Sequence, residues 1–156
     1  MLNLATDGAS IEERRRVIED FGQFFVRWGL APTGGRIWGY LLLSPKPASL
    51  DLIARDLGIS KSTASVATRQ LEQFLLVRRS GQPGTRRALY EGNPMSRRFF
   101  DQIIVAYSGL VRIMEAGVEV SADAVVRARL KEAVQFFRSW IQELDATVSR
   151  LGYERR

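Results

Sequence analysis

The sequence predicts a mainly α-helical protein with a small β-hairpin wing, built as a winged helix-turn-helix flanked by N- and C-terminal dimerisation helices. Three observations predict this fold class. Residues 50–65 have the spacing of a helix-turn-helix, two short β-like segments around a Gly-rich turn follow it, and long apolar helical stripes lie on both sides. We therefore expect a tail and dimerisation helix over 1–30, the winged DNA-binding domain over 31–93, and a C-terminal helical dimerisation and effector region over 94–156.

The composition argues against an enzyme. The chain of 156 residues has no cysteine and no histidine, which excludes disulfides, thiolate zinc sites and the His-based nucleophilic triads. No pair of carboxylates stands in a Gly-rich or apolar setting, so we expect neither a catalytic site nor a metal or other cofactor. No apolar run approaches the roughly 18 residues that a membrane span needs, and the N-terminus does not read as a secretory signal. We expect a cytoplasmic protein with no membrane partner.

The positive charge is concentrated in one third of the chain. The formal net charge is +6, and residues 50–98 hold nine Lys or Arg against four Asp or Glu, which gives +5 for that segment. A local basic patch is typical of proteins that bind a polyanion, although a merely basic, soluble surface would have the same composition.

The N-terminal part predicts two helices. Ser10 and Glu13 form a capping-box pattern that starts the first helix, whose apolar stripe runs to Trp28 and which ends at Gly29. A proline at the first helical position opens a second helix over about residues 32–43.

The helix-turn-helix follows from local signals. Ser49 caps a short helix, Gly58 supplies the positive φ of the turn, and Ser60 caps the second helix. Ala54 is small because the two helices cross closely there. We expect the second helix to direct Ala64, Ala67, Leu71 and Phe74 into the core.

The opposite face of that second helix is suited to the major groove of DNA. Its short polar side chains allow close approach, Arg69 can bond guanine O6 and N7, and Val66 can contact a thymine methyl group. An ordinary helical hairpin is the alternative. The residues we expect to contact DNA, from this helix, its flanks and the wing, are Ser49, Ser60, Lys61, Ser62, Thr63, Ser65, Val66, Arg69, Arg79, Arg86 and Arg87.

The wing is predicted because the helical spacing of apolar residues stops after Leu75 and two strand-like segments follow. Residues 76–80 read as one strand, Gly81–Gly84 as the turn, and residues 85–90 as the returning strand. Four arginines, at positions 78, 79, 86 and 87, bracket the turn, where they can enter the minor groove or hold flanking phosphates. Arg97 and Arg98 can hold a phosphate or simply face solvent.

Two further helices are predicted after the wing. The first is expected to start at Asn93-Pro94, with apolar residues from Phe99 to Gly117 at alternating spacings of 4 and 3. The second is capped near Ser121 and carries a similar stripe to Leu151. We expect these helices and the N-terminal helix to form a homodimer interface, and an intramolecular three-helix cap is the alternative. A dimer would meet two half-sites ~34–36 Å apart.

Effector binding is a further hypothesis. Aromatic side chains between the winged domain and the dimerisation helices would suit an apolar or quaternary-ammonium ligand, while core packing is the favoured interpretation of the same residues. Without cysteine or histidine, a thiol redox switch and a histidine pH switch are excluded. The candidate pocket residues are Trp28, Trp38, Phe99, Tyr107, Phe136 and Trp140.

Seven short stretches within about residues 11–100 together are similar to the sequence of a known protein family. They are Trp28–Leu30, Gly35–Ser44, Ser49–Ser65, Leu71–Glu72, Leu76–Arg79, Pro83–Arg87 and Tyr90. This set resembles the MarR superfamily of winged-helix regulators, and particularly its GbsR-like branch. The resemblance implies dimers built from the terminal helices, a pseudo-palindromic operator, and often release by a small ligand or another signal. Ala64 departs from the β-branched residue of many relatives, and the long aromatic C-terminal helices mean that ligand properties do not carry over.

The sequence therefore favours a sequence-specific transcriptional regulator, a repressor, that binds double-stranded DNA as a homodimer and is released by a small-molecule effector. The rival outside this class is a winged-helix adaptor that contacts proteins and has no DNA specificity. An enzyme is the second rival, and it lacks an identifiable nucleophile–base pair or metal cluster in this sequence.

Overall fold

The computed structural model describes residues 10–81, 84 and 87–152, and the chain divides into two compact units, Met1–Pro94 and Met95–Arg156. The part described is mostly helical with a small antiparallel sheet, which confirms the predicted fold class of a winged helix-turn-helix. The helices are α1 (Ile11–Arg27), α2 (Pro32–Leu42), α3 (Leu50–Leu57), α4 (Lys61–Gln73), α5 (Arg97–Val120) and α6 (Ala124–Arg150), and the strands are β1 (Ala48–Ser49), β2 (Val77–Gly81) and β3 (Ala88–Gly92).

The first two helices pack closely because glycines line their crossing. The predicted capping box is confirmed: the Ser10 hydroxyl accepts from the Glu13 N–H at 3.1 Å, and the Glu13 carboxylate accepts from the Ser10 N–H at 2.6 Å. Where α2 crosses α1, a Cβ atom on Gly39 would lie 2.6 Å from the Phe21 ring. The missing side chain lets the Phe21 ring pack edge-on against Trp38, with ring centroids 5.4 Å apart.

Polar contacts attach the helix-turn-helix to α2. The buried Tyr40 hydroxyl donates to Asp56 Oδ2 at 2.8 Å, and Arg36 donates to the Leu57 carbonyl at 3.2 Å and to Glu19 at 2.7 Å. Burial, and then the neighbouring Asp56 carboxylate, raise the pKa of Tyr40 above its ordinary value, so the hydroxyl remains a donor. The C-terminal half of α3 is therefore held in place by helices that precede it.

The predicted caps of the helix-turn-helix are confirmed. Ser49 accepts from the Leu52 N–H at 3.3 Å, Ser60 accepts from the Thr63 N–H at 3.0 Å, and Gly58 takes a φ of 63° in the turn. These local bonds start α3, end it and start α4 at the positions that the sequence indicates.

The inward face of α4 is predicted correctly except at its end. Ala64, Ala67 and Leu71 are buried, but Phe74 is 52% exposed. The helix ends at Gln73 with Phe74 as its C-cap, and Leu75 then takes a positive φ of 58°, so the helical period of the inward face does not extend to Phe74. The buried residue that the pattern missed is Thr68, whose hydroxyl donates to the Ala64 carbonyl at 2.6 Å.

The sheet has three strands rather than the expected hairpin alone. β3 lies in the middle of the order β1-β3-β2, and both of its neighbours are antiparallel to it. β1 pairs Ala48 with Tyr90 and Ser49 with Leu89. The returning strand begins at Ala88, and the earlier residues 85 and 86 of the predicted strand lie outside the described residues.

The second unit is a pair of long helices, and the predicted start of its first helix is wrong. α5 begins at Arg97 with Ser96 as its cap, not at Asn93-Pro94. Asn93 is instead fixed to the first unit, since its side chain donates to the Leu75 carbonyl at 2.8 Å and its own carbonyl accepts from Trp38 Nε1 at 3.2 Å. α6 is capped by Asp123, two residues beyond the expected Ser121.

α5 and α6 pack along one side and leave apolar surface elsewhere. Val111 and Val148 are buried, and Tyr107 stacks on Phe137 with ring centroids 5.5 Å apart. The predicted stripe of α5 is not wholly buried, because Ile113 is 70% exposed. The large apolar residues exposed on these helices are Val105, Tyr107, Leu110, Ile113, Val120, Val125, Val126, Phe136 and Trp140. Within the described part of the chain, no helix is both long enough and apolar enough to cross a lipid bilayer.

Candidate nucleic-acid interface

The start of α3, the wing sheet and α4, which the sequence predicts to be the DNA-recognition helix, surround one open groove of about 500 Å³. It is lined by Ser49, Leu50, Asp51, Lys61, Ser65, Arg69, Arg79, Arg87, Ala88 and Tyr90. Six of these were predicted from the sequence as DNA contacts, namely Ser49, Lys61, Ser65, Arg69, Arg79 and Arg87. Predicted contact residues from separate elements thus lie on one surface.

The short strand β1 explains how the wing and the helix-turn-helix are held together. Ser49 pairs with Leu89 in the sheet, and its hydroxyl caps the first turn of α3. One residue therefore belongs to the wing sheet and to the start of the helix-turn-helix. Because α3 starts directly from the sheet, the distance between the wing strands and the helices that face the groove is fixed by backbone hydrogen bonds.

The N-terminus of α4 carries a cluster of three hydroxyl groups. Ser60 Oγ lies 2.9 Å from Ser62 Oγ and 2.7 Å from Thr63 Oγ1, in addition to accepting the Thr63 N–H. Ser60 is therefore first a structural cap, while Ser62 and Thr63 are exposed beside the first turn. Backbone N–H groups and hydroxyls at a helix N-terminus are suited to a phosphate.

The remaining predicted contacts differ in their surroundings. Val66 is exposed on α4, although it does not line the groove. Arg69 makes a long 3.5 Å contact to the Ser65 carbonyl of its own helix, and Arg79 on β2 is exposed. Arg86 lies outside the described residues. For each of these four residues, contact with DNA stays a prediction.

Two cations, Arg78 of the wing and Lys61 at the start of α4, form ion pairs with acids. Arg78 forms an ion pair with Glu91 across the β2–β3 ladder, where the two residues are direct partners. Lys61 Nζ lies 2.8 Å from Asp51 Oδ1. The hydrogen bond from Lys61, with the charges of Lys61 and Arg87, holds the pKa of the Asp51 carboxyl below its ordinary value, so Asp51 is ionised at neutral pH. The positive charge of the groove is therefore partly balanced within the protein.

Arg97 is not available to a phosphate or to solvent, the two roles considered from the sequence. It is only 7% exposed, and its guanidinium donates to Asp101 at 2.8 Å, to Ser149 at 3.1 Å and to Asp145. The hydrogen bond to Asp145, followed by that to Asp101, raises the pKa of Arg97 further. Arg98, the next residue, is exposed.

The candidate effector residues are distributed over both units. Trp38 is buried in the first unit, where its indole N–H is bonded to the Asn93 carbonyl, and this matches the core-packing interpretation. Trp28 is exposed beside Phe24 in the same unit. In the second unit the aromatic pairs are Phe99–Phe100 at 5.4 Å, Tyr107–Trp140 at 4.8 Å and Phe136–Phe137 at 5.3 Å between centroids. An effector pocket remains a prediction.

Sequence reasoning missed the acid in the groove. Asp51 lies in the first turn of α3, and Lys61 is the first residue of α4. A pair separated by a turn and a change of helix has no periodic signature, so only the folded chain places them together. Over residues 10–81, 84 and 87–152, no three His, Cys, Asp or Glu side chains are grouped to hold a metal ion.

The fold has a counterpart among solved structures. A crystal structure described as a transcriptional regulator superposes with a TM-score of 0.77, covering 91% of this chain and 99% of its own, at 22% identity. The transcriptional regulator BldR from Sulfolobus solfataricus aligns with a TM-score of 0.39 at 18% identity, over 83% of this chain and 84% of its own. A mutant of S. aureus MepR gives 0.42 at 17% identity, over 83% and 91%. The chain matches no family model and no curated protein.

The first superposition shows that this chain has the same fold as that regulator. Its identity of 22% is too low to carry a function across, and the TM-scores of the other two are too low to support an argument. The class of protein that the fold defines is therefore the winged helix-turn-helix, and the function must be argued from the groove.

Proposed function

We propose that this chain is a sequence-specific, DNA-binding transcriptional regulator of MarR type, of the GbsR-like branch, which acts as a homodimer on a pseudo-palindromic operator. The observation that carries the proposal is the groove, where Lys61, Arg69, Arg79 and Arg87 from the recognition helix and the wing line a single surface. A polyanion with a regular backbone is the ligand that such a distribution of cations favours.

The recognition helix would enter the major groove. Ser62 and Ser65 are short enough to let the helix approach the base edges, Arg69 can bond guanine in bidentate fashion, and Val66 can contact a thymine methyl group. Arg79 and Arg87 would hold phosphates or enter the flanking minor groove, together with Arg86. Phosphate contacts would position the helix, and the base contacts would select the sequence.

The second unit supports the dimer. Large apolar side chains on α5 and α6 are exposed, among them Ile113 at 70%, Val120 at 85% and Phe136 at 63%, and an apolar patch on a protein surface is typical of a protein–protein interface. We propose that a second copy of the chain covers them, which would give two recognition helices for two half-sites. A repressor of this kind occupies its operator until an effector that binds the dimer shifts the two recognition helices out of register with the half-sites.

The direct test is binding to the DNA upstream of the chain's own gene, compared with a shuffled fragment of the same composition, at two salt concentrations. We expect tighter binding to the native fragment, with an affinity that falls steeply as salt rises. Equal, weak binding to both fragments would contradict sequence specificity at this operator. No binding to either fragment at low salt would favour the adaptor, which needs no salt-dependent affinity for DNA.

Removing Arg69 should identify the reading face. We expect Arg69→Ala to weaken binding to the native fragment by about 1–3 kcal/mol and to reduce the preference over the shuffled one, because a bidentate base contact is lost. Quantitative gel-shift titration of both fragments measures this. Gln70→Ala is the matched control, since Gln70 is exposed on the same helix but does not line the groove. If the two variants bound alike, the docking face would be placed wrongly.

Placing a charge on the exposed face of α5 should separate the dimer. We expect Ile113→Glu to sediment as a monomer at micromolar concentration and to bind the native fragment more weakly, because a buried carboxylate without a partner is costly at an interface. Gln102→Glu adds the same charge to an exposed position of the same helix and should leave the dimer intact. A wild-type chain that sediments only as a monomer would refute the proposed dimer.

A further inference from the structure

An acidic side chain faces the groove that is proposed to bind DNA. Asp51 is the one acid among the described residues that line it, beside the four cations. Its side chain is 61% exposed, and that of its partner Lys61 is 64% exposed. Both groups are therefore open to an approaching phosphate, and a carboxylate at this place repels one.

Helix stability alone does not account for the acid. Ser49 already caps α3 through the Leu52 N–H, and an uncharged residue at position 51 would leave that cap in place. A negative charge in the first turn does interact favourably with the helix dipole, but the same benefit is available at positions that face away from the groove. The position of Asp51 is explained better by what it does to Lys61.

Lys61 is the first residue of α4, so its ammonium group lies at the N-terminal end of the helix that is proposed to bind DNA. An unpaired ammonium group at this place would attract phosphates whatever the base sequence. Lys61 forms a 2.8 Å ion pair with Asp51. At distances longer than this separation the two charges nearly cancel, so the pair attracts a loosely bound duplex less than Lys61 alone would.

We propose that Asp51 is a specificity-determining residue, which pairs with Lys61 and so suppresses sequence-independent binding of DNA phosphates in the groove. The inference rests on the proposed function. In sequence-independent complexes, the DNA phosphates can take many positions along the groove. By pairing with Lys61, Asp51 removes one attractive contact to phosphate from each of these complexes. In the specific complex, Arg69 and the wing arginines fix the duplex, so the paired Lys61 is needed less. The difference in affinity between operator and other DNA therefore widens.

The test compares Asp51→Asn with the wild type on the native and shuffled fragments over a series of salt concentrations. We expect the variant to bind the shuffled fragment about tenfold more tightly at low salt, with a salt slope steeper by about 0.9, because one more cation contacts a phosphate. The affinity for the native fragment should rise less, so that the ratio between the two fragments falls.

Two matched variants locate the effect. Asp51→Asn combined with Lys61→Gln should return most of the gain in salt slope on shuffled DNA toward the wild-type value, since the freed cation is then absent; any remainder would come from Arg87, which lines the same groove. Glu72→Gln removes the same charge from α4 at a position that does not line the groove, and it should change binding to shuffled DNA much less. Thermal melting of each variant checks that the fold is retained.

The outcomes separate the inference from the function on which it rests. Preference of the wild type for the native fragment, with Asp51→Asn unchanged on shuffled DNA, would overturn the role of Asp51 and leave the regulator intact. An equal gain from Glu72→Gln would also overturn it, because net charge alone would explain the result. Binding of the wild type to neither fragment would remove the proposed function itself.

Discussion

Gly35→Ala is expected to destabilise the first unit by about 3 kcal/mol, one of the two largest effects expected of a single substitution in this chain. A methyl group on Gly35 would overlap the carbonyl oxygen of Phe21 and lie 2.8 Å from the Phe21 carbonyl carbon and 2.9 Å from Gly22 Cα. All three atoms belong to the backbone of α1, so no side-chain rotation relieves the overlap. α1 has to move away from α2 as a whole, and its packing on Trp38 loosens.

The measurement is thermal or urea unfolding of the purified variant. A loss of this size corresponds to a fall in Tm of about 10 °C for a protein of this length. Gly109→Ala is the matched control, because Gly109 also lies inside a helix but has no atom within 4 Å of the position that a Cβ would take. That change should raise stability by about 0.5–1 kcal/mol through helix propensity. If Gly35→Ala stabilised the protein as much as Gly109→Ala, the α1–α2 crossing would not be as close as described.

The helix boundaries that the sequence predicted correctly are those set by neighbouring residues. Ser10, Ser49 and Ser60 each bond an N–H three residues on, and Gly58 needs only its own backbone freedom. Such contacts depend on a few neighbouring residues, so the local sequence is enough to predict where each of these helices starts or ends. The same holds for most of the inward face of α4, where the period of the helix decides which residues are buried.

Two differences between prediction and structure, the start of α5 and the third strand of the sheet, concern contacts between distant segments. Asn93-Pro94 looks like a helix start, but hydrogen bonds to Leu75 and Trp38 hold Asn93 at the end of the sheet, and α5 begins only after Ser96. Strand β1 has only two residues, which is too short for an alternating pattern, and it exists because β3 pairs with it. Tertiary contacts override local preference in both cases.

In the candidate interface, too, features set by the local sequence could be predicted and contacts between separate elements could not. Helix α4 could be proposed as the recognition helix from its short polar face, because that face is periodic along one helix. The pairing of Asp51 with Lys61 could not be predicted in this way, nor could the burial of Arg97, since their partners come from other helices. Charge counts over a segment predict where cations are abundant, but only the fold shows which of them remain available to a ligand.

Arg97→Met is expected to lower the Tm of the second unit by about 10 °C, because it leaves two carboxylates facing each other without the cation between them. Arg97 is buried between α5 and α6, while Asp101 and Asp145 are about 40% exposed and belong to different helices. In the wild type the guanidinium joins these helices at the end of the hairpin. Without it, the repulsion between the acids opposes the packing that buries Val148 nearby.

The dependence on salt separates charge repulsion from lost packing. Salt screens the repulsion between the two partly exposed carboxylates, so the Tm deficit of Arg97→Met should be smaller at about 1 M than at about 0.1 M sodium chloride. Thermal melts by circular dichroism at both salt concentrations measure it. Arg98→Met is the control at the exposed neighbouring position and should leave the Tm unchanged. A deficit that is equal at both salt concentrations would assign the loss to packing alone.

The same variant also tests whether Arg97 takes part in DNA binding. Because its guanidinium is already bonded to Asp101, Asp145 and Ser149, we expect the folded variant to keep the wild-type salt slope on shuffled DNA at low temperature. A slope shallower by about 0.9 would show that a phosphate displaces one of these acids, and Arg97 would then belong to the interface after all. An unchanged slope with a lowered Tm means that this arginine joins two helices of the second unit and leaves phosphate contacts to the groove in the first.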